Sequence, residues 1–403
     1  MNLEGKTVVL GVTGGIAAYK AAALCSHLVK AGAVVDVILT DAAREFVAPL
    51  TFQALTHRPV VTEMFSLLAE TEIGHVSLAQ RADLLIIAPA TANTLAKLAA
   101  GMADNMLTAT ALATEAPILL APAMESHMWA NPLTQANLDR LCEMRDMVVV
   151  GPGEGRLASG ASGVGRMAEP EEILDAACWV VGRDGPLAGR RVIITGGGTR
   201  EPVDPVRYVG NRSSGQMAYA LAYAARDRGA QVTLISTTGQ PAPFGVALVP
   251  VETAGEMRDA VLDLLAQADA LVMAAAVADY RPAAVVTHKI KKGEGAWSLD
   301  LVRTTDILAE VANRRKGAQV TVGFAAETED LVENALGKLR RKRLDLIVAN
   351  DARQAMGAST NQVTLIGADG SVEALPLLLK TEVAELIMDR VAALLALKRD
   401  KDV

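Results

Sequence analysis

Cysteine is scarce in this 403-residue chain, and the three present, Cys25, Cys142 and Cys178, are dispersed. They offer neither metal-ligand spacing nor a disulfide ladder, which fits a reducing cytoplasm. Basic charge is also short. The formal net charge is −7, which argues against a general nucleic-acid binder. Long apolar runs are missing: the run 84–92 is broken by Pro89 and followed by Asn93 and Lys97, well short of a membrane span. A cleavable leader is not expected. Glu4 precedes the first apolar run, glycines interrupt it, and Leu24 stands before Cys25 where a lipoprotein signal needs a small residue. A soluble, cytoplasmic protein is the expectation. The two common nucleotide fingerprints are absent as well: the loop Gly11 to Gly15 lacks the G-x-G-x-x-G spacing, and no G-K-[ST] follows. An ordinary NAD dehydrogenase or P-loop kinase is thereby disfavoured.

What the chain does have is aliphatic. Hydrophobic residues make up 51 % and aromatics only 3 %, a balance suited to stacked strands and helices of an α/β protein. One phrase recurs. An apolar strand at 6–12, a tight turn at Thr13, Gly14 and Gly15, and a helix at 16–31 ending before Gly32 open the chain. Strands are predicted next at 34–40, 83–88, 117–121 and 147–150. The phrase restarts at Arg191, with strands at 231–236, 270–275, 319–324 and 344–349. Alternation of this kind predicts parallel sheets covered on both faces. Segments 363–366 and 372–375, joined through Asp369 and Gly370, read as a hairpin. A last helix is predicted at 381–398. The glycine-rich stretch GRDGPLAG marks a boundary, giving domains at 1–182 and 191–403 with a linker at 183–190. The expected fold is two Rossmann-like, doubly wound parallel-sheet domains in tandem.

The run RVIITGGGTREPVDPVRYVGNRSSGQMAY at 191–219 carries the strongest chemical signal. A β-branched strand ends in three glycines expected to expose their amides. Arg200, Arg207 and Arg212 follow among turn residues, and a helix opens at Ser213, Ser214 and Gly215. Backbone N–H groups at a glycine turn and a helix start can hold phosphate. Arginine adds donors that match carboxylate and phosphate. The run KLRRKR at 338–343 reads either as a solvated helix face or as a ligand site.

Together with AAAVADYRP (274–282), HKIKK (288–292) and VGFAAET (322–328), that run resembles the phosphopantothenate–cysteine ligases, from about Arg191 to the last helix. In bacteria this activity is the C-terminal half of a bifunctional family of coenzyme A biosynthesis. The resemblance implies that CTP and Mg²⁺ activate the carboxylate of 4′-phosphopantothenate, and that cysteine captures the acyl-cytidylate. It implies further that Lys289 lies at the triphosphate and activated carboxylate, with Lys291 and Lys292 nearby. Ala275 and Asp279 are implied on the cytosine and ribose side, with Phe324 flanking the nucleotide. Thr305, Asp306, Ile307 and Leu308 are implied to wrap it at a helix start. Lys338 and Lys342 are implied at phosphate oxygens, Asn211 at the acyl-cytidylate and Arg207 at phosphopantothenate.

The first half resembles the phosphopantothenoylcysteine decarboxylases, on HVSLAQRADLLIIAPATANTLAKLAAGMADNMLT (75–108) and PAMESHMW (122–129). This resemblance implies a flavodoxin-like domain that binds FMN between the subunits of a trimer. Gly14, Gly15, Ile16, Thr40, Ala92, Asn93 and Thr94 are implied at FMN, and His75 as the catalytic histidine. The family oxidises the cysteinyl end to a thioaldehyde, loses CO₂ and reduces the resulting enethiol. Two positions depart from its pattern. Glu125 stands where the family has the asparagine that grips the substrate carboxylate, and Ser159 where it has the cysteine that donates a proton. A glutamate repels a carboxylate unless burial raises its pKa, and a hydroxyl is a far weaker acid than a thiol. Slow decarboxylation is therefore expected. The alternative is a ligase whose flavin domain serves as an oligomerisation scaffold or regulatory module. The expected assembly is a homo-oligomer of trimers at the flavin domain and dimers at the ligase domain, amounting to a dodecamer. Its partners are small-molecule substrates, with no nucleic acid and no membrane.

Overall fold

The structure is a computed structural model, and it describes residues 3–64, 74–292, 296–327, 329–351 and 358–399. Thr328, which closes the VGFAAET motif, lies outside the described residues. The chain divides into two compact units, Met1–Val181 and Gly182–Val403.

Six strands build the sheet of the first unit: β1 (Thr7–Val12), β2 (Val34–Leu39), β3 (Val60–Val61), β4 (Leu84–Ala90), β5 (Ile118–Pro122) and β6 (Met147–Val149). Their order is β3-β2-β1-β4-β5-β6, and the ladders are parallel. β4 is buried along its whole length, as a parallel strand under helices on both faces must be. The helix Ala18–Lys30 turns Ala18, Ala21, Leu24, Cys25 and Leu28 inward, the spacing of one helical face. Leu24 is fully buried, and burial of such a side chain stabilises the fold by about 1.5–3 kcal/mol. Gly32 then turns the chain at φ +88, a left-handed conformation that costs glycine nothing in strain. A separate ribbon follows the sheet, made of β7 (Gly153–Arg156) antiparallel to β8 (Ser162–Arg166).

The second unit contains β9 (Arg191–Gly196), β10 (Arg200–Pro202), β11 (Tyr208–Gly210), β12 (Gln231–Ser236), β13 (Ala247–Pro250), β14 (Ala270–Met273), β15 (Tyr280–Pro282) and β16 (Leu301–Arg303). β17 (Val320–Glu327), β18 (Leu346–Asp351), β19 (Thr360–Asn361), β20 (Val363–Gly367), β21 (Val372–Ala374) and β22 (Leu378–Leu379) complete it. The main sheet runs β13-β12-β9-β14-β17-β18-β20-β21. It is parallel up to β18, and β20 and β21 close it as an antiparallel hairpin around Asp369 and Gly370. The final helix, Lys380–Arg399, packs Val383, Ile387, Val391 and Leu395 into the core beside Leu221 and Ala225. The stretch 183–190 is folded into this unit: Leu187 is fully buried, and its amide donates to the Arg228 carbonyl at 2.8 Å.

Both units are doubly wound, and in each the strand order reverses once near the middle. That reversal lies between β1 and β4 in the first unit and between β9 and β14 in the second. Crevices at the carboxyl ends of the strands form at such switch points.

Candidate functional site

In the first unit, the loops after β1 and β4 frame a cleft of about 1060 Å³. Gly14, Gly15, Ile16, Thr40, Ala92, Asn93 and Thr94 all line it, and so do Glu125 and Ser159. Thr13 fastens the two loops together: its hydroxyl donates to the Pro89 carbonyl at 2.6 Å and accepts from the Thr91 amide at 3.3 Å. Thr91 caps the helix Ala92–Ala99. The first-turn amides of such a helix have no intrahelical acceptor, so they suit an anion. Gly14 cannot carry a side chain, because a Cβ there would stand 2.3 Å from the Ala42 Cβ.

Cations and a second loop complete the cleft. Lys20, Lys97, Arg156 and Arg166 line it, and sequence reasoning missed all four. Lys20 pairs with Glu169 at 2.8 Å, and Lys97 with Asp104 at 2.6 Å. Lys20 lies one helical turn beyond Ile16, a spacing that could have flagged it. The β7–β8 ribbon holds Ser159 at its tip and is seated on the PAMESHMW segment. The Met124 amide donates to the Gly165 carbonyl at 3.0 Å, and a Cβ on Gly165 would strike the Met124 carbonyl oxygen at 2.2 Å.

Glu125 caps the short helix Ser126–Trp129, accepting from the His127 amide at 2.7 Å. That backbone hydrogen bond, helped by the His127 ring at 3.1 Å, lowers its pKa against the opposing pull of burial. Glu125 is thus charged at neutral pH, the opposite of the raised pKa that would let it face a carboxylate. His75 sits at the second residue of the helix Gly74–Arg81 and is not part of the cleft lining.

In the second unit, Gly196 at the end of β9 and Gly197 and Gly198 beyond it do not expose their amides: all three are buried. Their lack of side chains serves close packing instead. A Cβ on Gly196 would meet Ala218 at 2.4 Å, one on Gly197 Thr237 at 2.1 Å, and one on Gly198 the Asn211 carbonyl at 2.2 Å. The Gly197 carbonyl accepts from the Ala276 amide at 2.8 Å, so the turn docks onto the AAAVADYRP motif. There Asn211 donates its side-chain amide to the Val277 carbonyl at 2.9 Å. The Ala275 amide is taken by Thr195 at 3.2 Å, and the Asp279 carbonyl accepts from the Thr304 amide at 2.9 Å.

Most of the predicted nucleotide residues converge here. Met273, the last residue of β14, pairs with Gly323, which sets Ala275 just past the end of β14 beside Phe324 within β17. Lys338 donates to the Phe324 carbonyl at 2.8 Å, and Lys342 pairs with Asp306 at 3.0 Å. Asp306 also caps its helix by accepting from the Ala309 amide at 3.2 Å. Burial raises the Asp306 pKa, but the Lys342 ammonium and the cap together leave it lowered. The side chains of Ile307 and Leu308 are buried in the core, so only their backbone can face a nucleotide. Lys289, Lys291 and Lys292 are exposed on a loop, and Ile290 between the first two is bound to Arg207. A smaller cleft of about 360 Å³ nearby, lined by Glu201, Arg258 and Arg281 among others, shares only Thr305 with the predicted set.

A flavoprotein-type unit followed by a second doubly wound unit is the class that these two sites define. The family model described as Flavoprotein matches residues 1–182, and that described as DNA/pantothenate metabolism flavoprotein C-terminal domain matches residues 187–395. The chain is 47 % identical to the Coenzyme A biosynthesis bifunctional protein CoaBC of Bacillus subtilis (strain 168), over 97 % of this chain and 98 % of that one. A crystal structure of the C-terminal domain of a coenzyme A biosynthesis bifunctional protein CoaBC is 41 % identical. It covers 53 % of this chain and 98 % of its own, with a TM-score of 0.46. The FMN binding protein AtHal3 is 34 % identical over 43 % of this chain and 94 % of its own, with a TM-score of 0.38. The chain belongs to the family of bifunctional coenzyme A biosynthesis proteins.

Proposed function

We propose that this chain performs two consecutive steps of coenzyme A synthesis. The second unit joins cysteine to 4′-phosphopantothenate using CTP, and the first decarboxylates the 4′-phosphopantothenoylcysteine formed to 4′-phosphopantetheine. One observation carries the reading: the chain pairs both family domains, and in the first of them Gly14, Gly15, Ile16, Thr40, Ala92, Asn93 and Thr94 line a single cleft. The same pairing along nearly the whole length of the Bacillus subtilis relative favours both activities over a ligase with a silent scaffold.

In the ligase step a carboxylate attacks the α-phosphate of CTP and expels pyrophosphate. The amine of cysteine then attacks the acyl-cytidylate and releases CMP. Two anions must meet, so positive charge at the reacting phosphate is the main requirement. Lys289 supplies it, Arg207 orients phosphopantothenate, and Asn211 holds the acyl-cytidylate. Asp279 and the backbone at Ala275 meet the cytidine, beside Phe324. Lys338 and Lys342 exchange the Phe324 carbonyl and Asp306 for phosphate oxygens, while Thr305 and the backbone of Ile307 and Leu308 close around the nucleotide. Mg²⁺ enters as the counter-ion of CTP. Among the described residues no cluster of three or more His, Cys, Asp or Glu is gathered to hold a metal.

The first cleft fits FMN. Its volume, its helix-start amides and its side-chain-free turn at Gly14 suit a phosphate joined to a flat ring. FMN, when bound, takes and returns the electron pair that makes loss of CO₂ from the cysteinyl end easy. Gly14, Gly15, Ile16, Thr40, Ala92, Asn93 and Thr94 hold it, and Ser159 on the ribbon faces the reacting end. His75 acts as the catalytic histidine from a second copy, because it does not line the cleft of its own chain. A trimer of flavin units supplies that copy. Exposed Ile16 and Tyr19 at the cleft rim and exposed Leu50, Leu112 and Leu133 give apolar surface for it. With dimers of the ligase unit, trimers close a dodecamer. Cys25, Cys142 and Cys178 form no disulfide among the described residues, which suits the cytoplasm.

The test is CMP release by the intact chain with CTP, Mg²⁺, phosphopantothenate and cysteine. Release that needs both substrates supports the reading. Its absence refutes the ligase assignment, and equal use of ATP refutes the choice of nucleotide.

A further inference from the structure

We infer that Asp204 is a positioning residue for the ligase step, holding the loop of Lys289 in place through Arg207 and Ile290. The inference rests on the ligase function proposed above.

The Asp204 side chain is fully buried. One carboxylate oxygen, Oδ1, accepts from the amides of Val206 at 2.8 Å and Arg207 at 2.9 Å. An Asp-Pro turn needs no more than this. The other oxygen reaches much further along the chain. Oδ2 accepts from Arg207 Nε at 3.0 Å and from the Ile290 amide at 3.1 Å, and lies 2.6 Å from Arg207 Nη2 in an ion pair. Arg207 Nη2 also donates to the Ile290 carbonyl at 2.6 Å, so both backbone polar groups of Ile290 are fixed by one ion pair. Trp297 backs the guanidinium, its ring centre 5.3 Å from the Arg207 Cζ.

This clamp matters because no regular secondary structure holds the described part of the loop. Residues 288–292 belong to no strand or helix, and Lys289 is exposed. The Val286 amide, bonded to the Val203 carbonyl at 3.1 Å, ties the loop to the same turn from its other end. A buried carboxylate is unfavourable unless its hydrogen bonds are met, and here the donors that meet it are those that set Lys289 and Arg207. Burial works to raise the Asp204 pKa. The amides of Val206, Ile290 and Arg207 and the guanidinium outweigh it and bring it to about 2, so the clamp stays charged throughout the working range.

The experiment is a double-mutant cycle on the full-length protein, read by CMP release and by CTP binding. Asp204→Asn keeps one acceptor for the turn, but its NH₂ cannot accept from Arg207 and Ile290. The expected result is a kcat at least tenfold lower and a raised KM for phosphopantothenate, with CTP affinity and the KM for cysteine unchanged. In a Lys289→Gln background the kcat effect of Asp204→Asn should vanish, while the phosphopantothenate effect remains. Equal kcat losses in the two backgrounds, or a kcat like that of the unaltered chain, overturn the inference. If Asp204→Asn does not fold, Arg207→Gln takes its place in the same cycle at saturating substrate, with the same two outcomes. No CTP turnover by the unaltered chain refutes the proposed function itself, which separates that failure from this one.

Discussion

Gly14→Ala is the sharpest single test of the flavin cleft. The added Cβ would lie 2.3 Å from the Ala42 Cβ and 2.7 and 2.8 Å from the Ala42 carbonyl carbon and oxygen. Two of these three atoms are backbone and cannot swing aside, so the turn after β1 has to move. Overpacking of this kind costs about 1–3 kcal/mol, and each kcal/mol lowers the melting temperature of a unit this size by roughly 2–4 °C. The turn also lines the cleft, so FMN affinity should fall with it. Gly15→Ala is the control, because its Cβ would find only the Thr91 Cγ2 at 3.7 Å, an ordinary contact. The assay compares melting of the FMN-free protein and FMN titration for both variants. Gly14→Ala should melt measurably lower and bind FMN more weakly, while Gly15→Ala should keep its FMN-free melting temperature. Equal stability and equal FMN affinity in Gly14→Ala would refute the tight-turn reasoning.

Three other outcomes are expected. A fragment starting at Gly182 should fold as a CTP-dependent ligase, whereas one starting at Arg191 loses buried Leu187 and should be about 2–5 kcal/mol less stable by urea denaturation. Lys289→Gln should slow acyl-cytidylate formation sharply and leave a small residual turnover, while Asn211→Asp should slow cysteine capture so that the intermediate accumulates; equal intermediate in both, by rapid quench, contradicts this division. In the flavin unit, Glu125→Asn with Ser159→Cys should raise CO₂ release. Acidifying the unaltered chain to about pH 5 should not, because the carboxylate is held below the usual range for glutamate, and recovery there would show that Glu125 protonates readily.

Most strands of both main sheets were legible because parallel strands buried on both faces read as unbroken apolar runs, as in Leu84–Ala90; the short edge strands β3 and β13, nowhere fully buried, were not. The ribbons were not. Leu301–Arg303 is exposed throughout, so its pairing with Tyr280–Pro282 comes from tertiary contact and leaves no periodic trace. The Gly196 to Gly198 turn was misread for a different reason. Glycine marks equally an exposed amide and a close approach, and only the positions of Ala218, Thr237 and Asn211 decide between them. The motifs did name residues that share the first cleft, from Gly14, Gly15 and Ile16 to Ala92, Asn93 and Thr94. They could not show that Asp204 reaches Ile290, because nothing in the spacing of the chain predicts that contact. Nor could they show that Glu125 is charged, since the amide of His127 that fixes its state is set by backbone geometry.

The most direct measurement is the mass of the product made by the intact, FMN-loaded chain from phosphopantothenate, cysteine, CTP and Mg²⁺. Two active sites predict 4′-phosphopantetheine, formed through 4′-phosphopantothenoylcysteine that builds up first because Glu125 and Ser159 slow its decarboxylation. Phosphopantothenoylcysteine as the sole and final product would contradict the second activity, and no product at all would contradict both.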